Sequence, residues 1–292
     1  MLLLAGPTAS GKSALAVEWA KARGGRVVNA DSMQVYSDLR TLTARPSEAD
    51  EATAAHRLYG HVDAGERFSV GRWLRAAIDE LKQPGPLVLV GGTGLYFDTL
   101  ENGLAPVPHI PDEVRRRWNA MEFEQLRVEL RRRDPQAAAK LDPSDRQRIQ
   151  RAIEVHDVTG RTLASWWADT VREDPLALRN VARIVIEPDR PALRDRISAR
   201  FERMMREGAV EEVGALLARG LDSRLPAMRA IGMREIASML LGEATWDEAV
   251  ERSVIASRQY AKRQSTWFRN RFDEQWLRVS ATEEARASLG LA

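Results

Sequence analysis

"GPTASGKS", Gly6–Ser13, decides the fold of this chain. It has the spacing G-x-x-x-x-G-K-[ST] of a phosphate-binding loop, in which backbone N–H groups converge on phosphate oxygens at the start of a helix. The flanks suit that reading. Met1–Ala5 is a short apolar run that reads as a strand, and Ala14-Leu15-Ala16 opens a helical pattern. Lys12 supplies a point charge, and the Ser13 hydroxyl is placed to ligate a bound Mg²⁺. Taken alone, the loop serves equally a kinase, a hydrolase or a transferase with a diphosphate leaving group.

Outward from the loop, strand and helix signals alternate. A helix is predicted over 14–23 and a second strand over 26–30, ending at Asp31-Ser32, with helices around 47–58 and 69–82. Leu87-Val88-Leu89-Val90 is a continuous apolar run bounded by Pro84-Gly85-Pro86 and Gly91-Gly92, as expected of a buried parallel strand. The alternation predicts an α/β fold with a doubly wound parallel sheet like that of P-loop NTPases, binding ligands at the carboxyl ends of its strands. At "APVPHIP", 105–111, the character changes. Residues 106–164 are highly charged, helical in period and without a strand candidate, so they read as an all-helical insertion between core segments 1–105 and 165–292. Val181–Glu187 reads as a returning strand. Helical stretches follow at 190–219, 229–241 and 246–271, with a last strand at 275–279.

Composition bounds the function. The 292 residues are 44% hydrophobic and 29% charged, enough for one α/β domain carrying an insertion. No apolar run approaches the ~20 residues of a membrane span, and the opening strand leaves no room for a secretory leader. There is no cysteine, hence neither disulfides nor thiolate zinc sites, and the four histidines form no ligand cluster. The expectation is a cytoplasmic enzyme of bacterial type, without a membrane partner. Net charge is +2, yet the pI is about 9.1. The basic residues are nearly all arginine, which suits phosphates and base edges without naming a partner.

Several positions can carry chemistry. Asp31 ends the second strand on the same sheet edge as the loop, where a carboxylate can take a proton from an attacking nucleophile. The competing reading is a helix N-cap, with Gln34 completing a capping box. In "LVLVGGTGLYF", 87–97, no carboxylate follows the strand, unlike hydrolysing P-loop enzymes. Its small residues let a ligand lie near the backbone, or simply make a tight turn, and Thr93 offers a hydroxyl. In "DPSDRQRIQRAIEV", 142–155, Ile149 and Ile153 share one helix face, while Gln147, Arg148, Gln150 and Arg151 turn elsewhere. Those polar side chains suit base edges, or form a solvated face. In "ASRQYAKRQSTWFRNRF", 256–272, Arg258, Lys262 and Arg269 recur at helical spacing among Tyr260, Trp267 and Phe268. The pattern suits a nucleic-acid backbone, or a surface helix with its aromatics in the core. Arg200, in "RISARFERMM", lies on a helix that could return towards the phosphate site. Trp73, Trp166, Trp167 and the histidines of "HRLYGH" read as packing residues.

"GPTASGKS", "NADSMQVY", "TARPS", "GGTGLYF", "DRQRIQRAIEV", "AIGMREI" and "RQYAKRQSTWFRN" together resemble the tRNA dimethylallyltransferase (tRNA isopentenyltransferase) family, in the family's order and over nearly the whole chain. The resemblance implies transfer of a dimethylallyl group from dimethylallyl diphosphate to the exocyclic amine of the adenosine 3′ of the anticodon, in tRNAs reading U-initial codons. It implies that Gly6, Pro7, Thr8, Ala9, Ser10, Gly11, Lys12 and Ser13 hold the diphosphate, with Mg²⁺ near Ser13 and Arg200 balancing the charge. Thr8 would sit near the bridging oxygen, and Asp31 would be the base. Asp31, Ser32, Met33 and Gln34 would contact the target base, with Thr93 and Arg115 as single tRNA contacts. Further tRNA contacts would come from Gln147, Arg148, Ile149, Gln150 and Arg151, from Arg229 and Arg234, and from Lys262, Arg263, Gln264 and Arg269. The 106–164 insertion would grip the anticodon stem-loop, and no obligate protein partner is implied; the family precedent is a monomer. Leu42, Asp98, Met233 and Ser257 depart from the family's usual residues, which bears on tRNA affinity rather than on the reaction. A nucleoside kinase, an isopentenyltransferase acting on free nucleotides and an RNA-binding ATPase are the rival readings.

Overall fold

Because β1 (Leu2–Ala5) is apolar at every position, it is suited to a strand covered on both sides, and that is where it lies. Leu3 and Ala5 pack with Trp73, Phe97 and Phe268 on one face of the sheet, Leu2 and Leu4 with Leu15 and Trp19 on the other. The computed structural model describes residues 1–170, 175–176 and 180–291. Among these, β1 pairs in parallel with β4 (Leu87–Gly91) and β5 (Ala182–Ile186). On one side β2 (Arg26–Asn29) joins β4 and carries β3 (Ala55–Arg57); on the other, β6 (Leu277–Val279) closes on β5. The order β3-β2-β4-β1-β5-β6 is that of a doubly wound α/β sheet.

The chain divides into two compact units, Met1–Leu100 with Pro175–Ala292, and Glu101–Asp174. In the first, α1 (Lys12–Arg23), α2 (Glu48–Thr53) and α3 (Val70–Lys82) connect the first four strands, and α4 (Gly94–Asn102) follows β4. After the helical unit come α10 (Arg190–Met204), α11 (Val210–Ala218), α12 (Met233–Leu240), α13 (Trp246–Arg271) and α14 (Thr282–Ser288). Reciprocal capping boxes start two of these helices. Ser47 and Asp50 cap α2, and Thr245 and Glu248 cap α13.

Three local expectations change. The 47–58 stretch is not one helix: α2 stops at Thr53 and His56 lies in an edge strand. That strand alternates exposed and half-buried residues, so it has no apolar run to announce it. The 190–219 stretch breaks at Gly208, whose φ of 121° suits glycine and ends one helix before α11 begins. The short helix α14 follows the last strand.

The second unit holds α5 (Asp112–Asn119), α6 (Phe123–Arg133), α7 (Pro135–Lys140), α8 (Arg146–Thr159) and α9 (Leu163–Ala168), and extends beyond 106–164 at both ends. Trp118, Leu126, Leu130, Ile149 and Ile153 form its core. Above that core, Asp157 accepts from Arg133 at 3.1 Å and from Trp118 Nε1 at 3.2 Å, and pairs also with Arg117. One carboxylate thus ties three helices. Asp157→Ala is expected to destabilise this unit by about 1–3 kcal/mol, because the buried Trp118 N–H loses its acceptor and Arg133 one of its two carboxylates; thermal melting read by circular dichroism checks it. Trp166 packs as expected, donating to Thr159 at 3.1 Å under Arg161, whereas Trp167 is 61% exposed.

Candidate active site

The loop between β1 and α1 takes its shape from small residues. A Cβ on Gly6 would stand 2.7 Å from Ser10 Oγ and 2.8 Å from the Ile186 carbonyl. Gly11 adopts φ 90° and caps α1 with no side-chain hydrogen bond, so the first amides of the helix stay open to an anion. Ala9, with φ 62°, is a non-glycine residue in the left-handed region, a cost often found at functional loops.

At the carboxyl ends of the strands lies a cavity of about 330 Å³. Its polar wall includes Thr8, Lys12, Ser13, Asp31, Ser32, Gln34, Arg200, Arg229, Tyr260 and Arg263. Met33, Leu42, Ile197, Phe201, Met204 and Ile231 make an apolar wall. Among the described lining residues Asp31 is the one carboxylate, against four cations.

No helix starts at Asp31, which removes the N-cap reading: residues 31–40 are non-helical, with turns, bends and a single bridge from Tyr36 to Val62. Asp31 Oδ1 accepts from Met33 N at 2.9 Å. Gln34, rather than completing a capping box, donates to the Thr43 and Ala44 carbonyls at 2.9 and 2.8 Å. Thr93 Oγ1 accepts from Ser32 N at 2.9 Å, tying the 31–34 segment to the turn after β4. Lys12 Nζ donates to the Pro7 carbonyl at 3.0 Å. Burial lowers the Lys12 pKa to about 8; the Asp31 charge opposes that shift and Arg200 adds to it. Arg200 is likewise lowered by burial and held up by Asp31. Burial and the Asp31 charge together push the Tyr260 phenol well above its ordinary value. Loop lysine, returning arginine and carboxylate therefore share one electrostatic site.

Other predicted residues lie elsewhere. Arg234, Lys262 and Arg269 are exposed outside the cavity wall, with Arg269 3.8 Å from Glu187. In the helical unit Gln147 and Arg148 are exposed, and Arg148 pairs with Asp145. Arg115 and Arg151 are close enough that the Arg115 charge adds to burial in lowering Arg151. Gln150 donates to Asn119 and Glu154 at 2.8 and 2.7 Å. Two predicted contacts have no free side-chain surface. Ile149 is in the helical unit's core. Gln264 is 5% exposed, accepts from Thr8 N and donates to the Gly92 carbonyl, both at 2.9 Å. Phe268 is fully buried and Trp267 packs against Gly94, so these aromatics of α13 serve the core.

The glycines after β4 make room for this chain's own groups. A Cβ on Gly92 would collide with Gln264 Nε2, and one on Gly94 with the Trp267 ring. Gly92→Ala is expected to cost about 1–3 kcal/mol through overpacking and loss of the Gln264 bridge, seen as a lower Tm. The apolar wall, absent from the sequence reading, has a local signal on α10, where Ile197, Phe201 and Met204 recur at helical spacing around Arg200.

Loop, sheet order and cavity define a P-loop-like α/β protein with its site at the strand carboxyl ends. A family model described as IPP transferase matches residues 34–271. The chain belongs to the IPP transferase family. It is 49% identical to the tRNA dimethylallyltransferase of Mesorhizobium japonicum over 99% of this chain and 92% of that one. It is 51% identical to that of Rhizobium etli over 96% of both chains. The crystal structure of the full-length tRNA isopentenylpyrophosphate transferase from Bacillus halodurans matches with a TM-score of 0.68 at 30% identity, covering 99% of this chain and 94% of that one. A eukaryotic dimethylallyltransferase acting on tRNA shares the fold, with a TM-score of 0.79 at 23% identity over 98% of this chain and 77% of that one.

Proposed function

We propose that the chain transfers the dimethylallyl group of dimethylallyl diphosphate to the exocyclic N6 amine of the adenosine immediately 3′ of the anticodon, in tRNAs reading U-initial codons, releasing diphosphate. The observation that carries this reading is the cavity wall, where a lone carboxylate, a ring of cations and an apolar flank meet at the phosphate loop. A diphosphate suits the loop, Lys12 and Arg200. The dimethylallyl chain suits Ile197, Phe201 and Met204.

The allylic C–O bond breaks with carbocation character, so negative charge grows on the departing diphosphate. Lys12, Arg200 and the open amides of α1 stabilise that charge, with Thr8 beside the bridging oxygen. The adenine nitrogen forms the new C–N bond and loses a proton, which Asp31 accepts. Proton, leaving group and new bond then balance. To reach Asp31 the base leaves the anticodon stack.

A magnesium ion fits the donor set. No group of three histidine or carboxylate side chains among the described residues could cage a metal, but Mg²⁺ commonly shares substrate phosphate oxygens with a single protein oxygen and water. Ser13 would hold it, and it would neutralise diphosphate charge. The tRNA would meet Ser32, Met33 and Gln34 near the base, Thr93 at the adjoining turn, and Arg229, Arg234, Lys262, Arg263 and Arg269 along the backbone. In the helical unit Arg115, Gln147, Arg148, Gln150 and Arg151 would take the anticodon stem-loop. No helix among the described residues is long and apolar enough to cross a membrane.

Two unmodified transcripts test the assignment, one reading a U-initial codon and the other identical except for guanosine 3′ of the anticodon. With labelled dimethylallyl diphosphate and Mg²⁺, label should enter the first and not the second. Equal labelling of both would overturn the target base.

A further inference from the structure

Asn29 ends β2, is fully buried, and is not itself among the residues that line the cavity. Its side chain nevertheless grips the residue that carries the chemistry. Oδ1 accepts from the Asp31 N–H at 2.8 Å, and Nδ2 donates to the Asp31 carbonyl at 2.9 Å. One amide therefore occupies both backbone groups of Asp31. The second Nδ2 proton goes to the Leu58 carbonyl at 3.0 Å. Asn29 is itself anchored, because its own carbonyl accepts from Trp73 Nε1 at 2.7 Å and β2 is paired on both sides.

The result is a short rigid lever. With the Asp31 backbone clamped and its Oδ1 taken by Met33 N, Oδ2 is left to accept a proton; a Cβ built on Gly92 would lie 3.5 Å from it. The adenine amine is a weak nucleophile, so its proton must pass to a carboxylate already in place. Rotation of the Asp31 backbone by a modest angle would carry Oδ2 out of hydrogen-bond reach. Asparagine, with donor and acceptor on one short planar group, satisfies both backbone groups at once. Aspartate is the same size but presents oxygen to two carbonyls, and serine is too short to span them.

We propose that Asn29 is a positioning residue for proton transfer, holding Asp31 at the reach the acceptor amine requires. This inference rests on the assignment of Asp31 as the base.

The test is a double-mutant cycle with Asn29→Ser, Asn29→Asp and Asp31→Ala, read by single-turnover transfer from labelled dimethylallyl diphosphate to tRNA, alongside tRNA binding and thermal melting. In the Asp31 background either Asn29 variant should lower the transfer rate by about 10- to 100-fold, while tRNA binding and donor KM stay within about twofold. In the Asp31→Ala background the same Asn29 change should have almost no further effect. An equal loss in both backgrounds would make Asn29 a general structural residue and overturn the proposal. So would an undiminished rate in a folded Asn29 variant, or failure of both variants to fold. Full activity of Asp31→Ala alone would instead overturn the assignment of the base.

Discussion

Replacing Asp31 by alanine is expected to lower transfer to tRNA by about 10²–10⁴-fold, the range usual for loss of a general base, with tRNA binding little changed. Among the described residues no other carboxylate and no histidine lines the cavity to substitute as a base. Asp31→Asn should be nearly as inactive, because it keeps the shape and the Met33 contact but cannot take the proton. A second consequence separates this role from a structural one. The Asp31 charge holds the Lys12 pKa up against burial, so its removal lets that pKa fall below about 8. Residual donor binding by Asp31→Ala should therefore weaken at a lower pH than in the wild type. Single-turnover rates and donor binding measured across roughly pH 6–10, a range centred on the lowered Lys12 value of about 8, check both points. Wild-type rates from Asp31→Ala would contradict the role.

Lys12→Met should lower the transfer rate by about 10²–10³-fold, the size expected when one preorganised charge at a leaving group is lost. Because burial lowers the Lys12 pKa to about 8, the wild-type efficiency with the donor should fall as pH rises above that value and the ammonium deprotonates. Lys12→Arg keeps its charge over this range and should lose the alkaline limb, whatever its absolute rate. The stability effect has the opposite sign. A cation whose folded pKa lies below its unfolded value binds fewer protons when folded, so stability without ligand rises as pH increases from about 8 towards 10.5. Lys12→Met is accordingly expected to melt no lower than the wild type at pH 7, while losing activity. A large fall in Tm would make Lys12 structural instead.

What could be read from the sequence was whatever lies close together along the chain. The loop, its strand and its helix form one continuous stretch, and the alternation that follows them predicts the parallel sheet. The apolar wall escaped because Leu42, the Ile197 and Phe201 face of α10, and Ile231 come from three separate segments that meet only after the sheet is wound. The inward placement of Gln264 was hidden for a different reason. This residue sits in a basic stretch, yet shares a helix face with Ala261 and Phe268, both buried, so spacing places it inward where neighbouring residues suggested outward. The glycines of "GGTG" carried a correct signal of close approach, but the approaching groups are Gln264 and Trp267 of this chain. Asn29 is the least legible. Nothing beside it marks a role, since its partners include Leu58 and Trp73, reached only through the fold.

The central claim is that a phosphate loop more often met in nucleotide-hydrolysing and kinase sites here serves prenyl transfer to RNA. The most direct measurement offers the wild-type enzyme labelled dimethylallyl diphosphate and Mg²⁺ with equal amounts of unmodified tRNA and adenosine monophosphate, and follows ATP turnover in parallel. Label in tRNA, little in the free nucleotide and no tRNA-dependent ATP turnover is the predicted result. Label in the nucleotide alone, or ATP turnover without prenyl transfer, would contradict it.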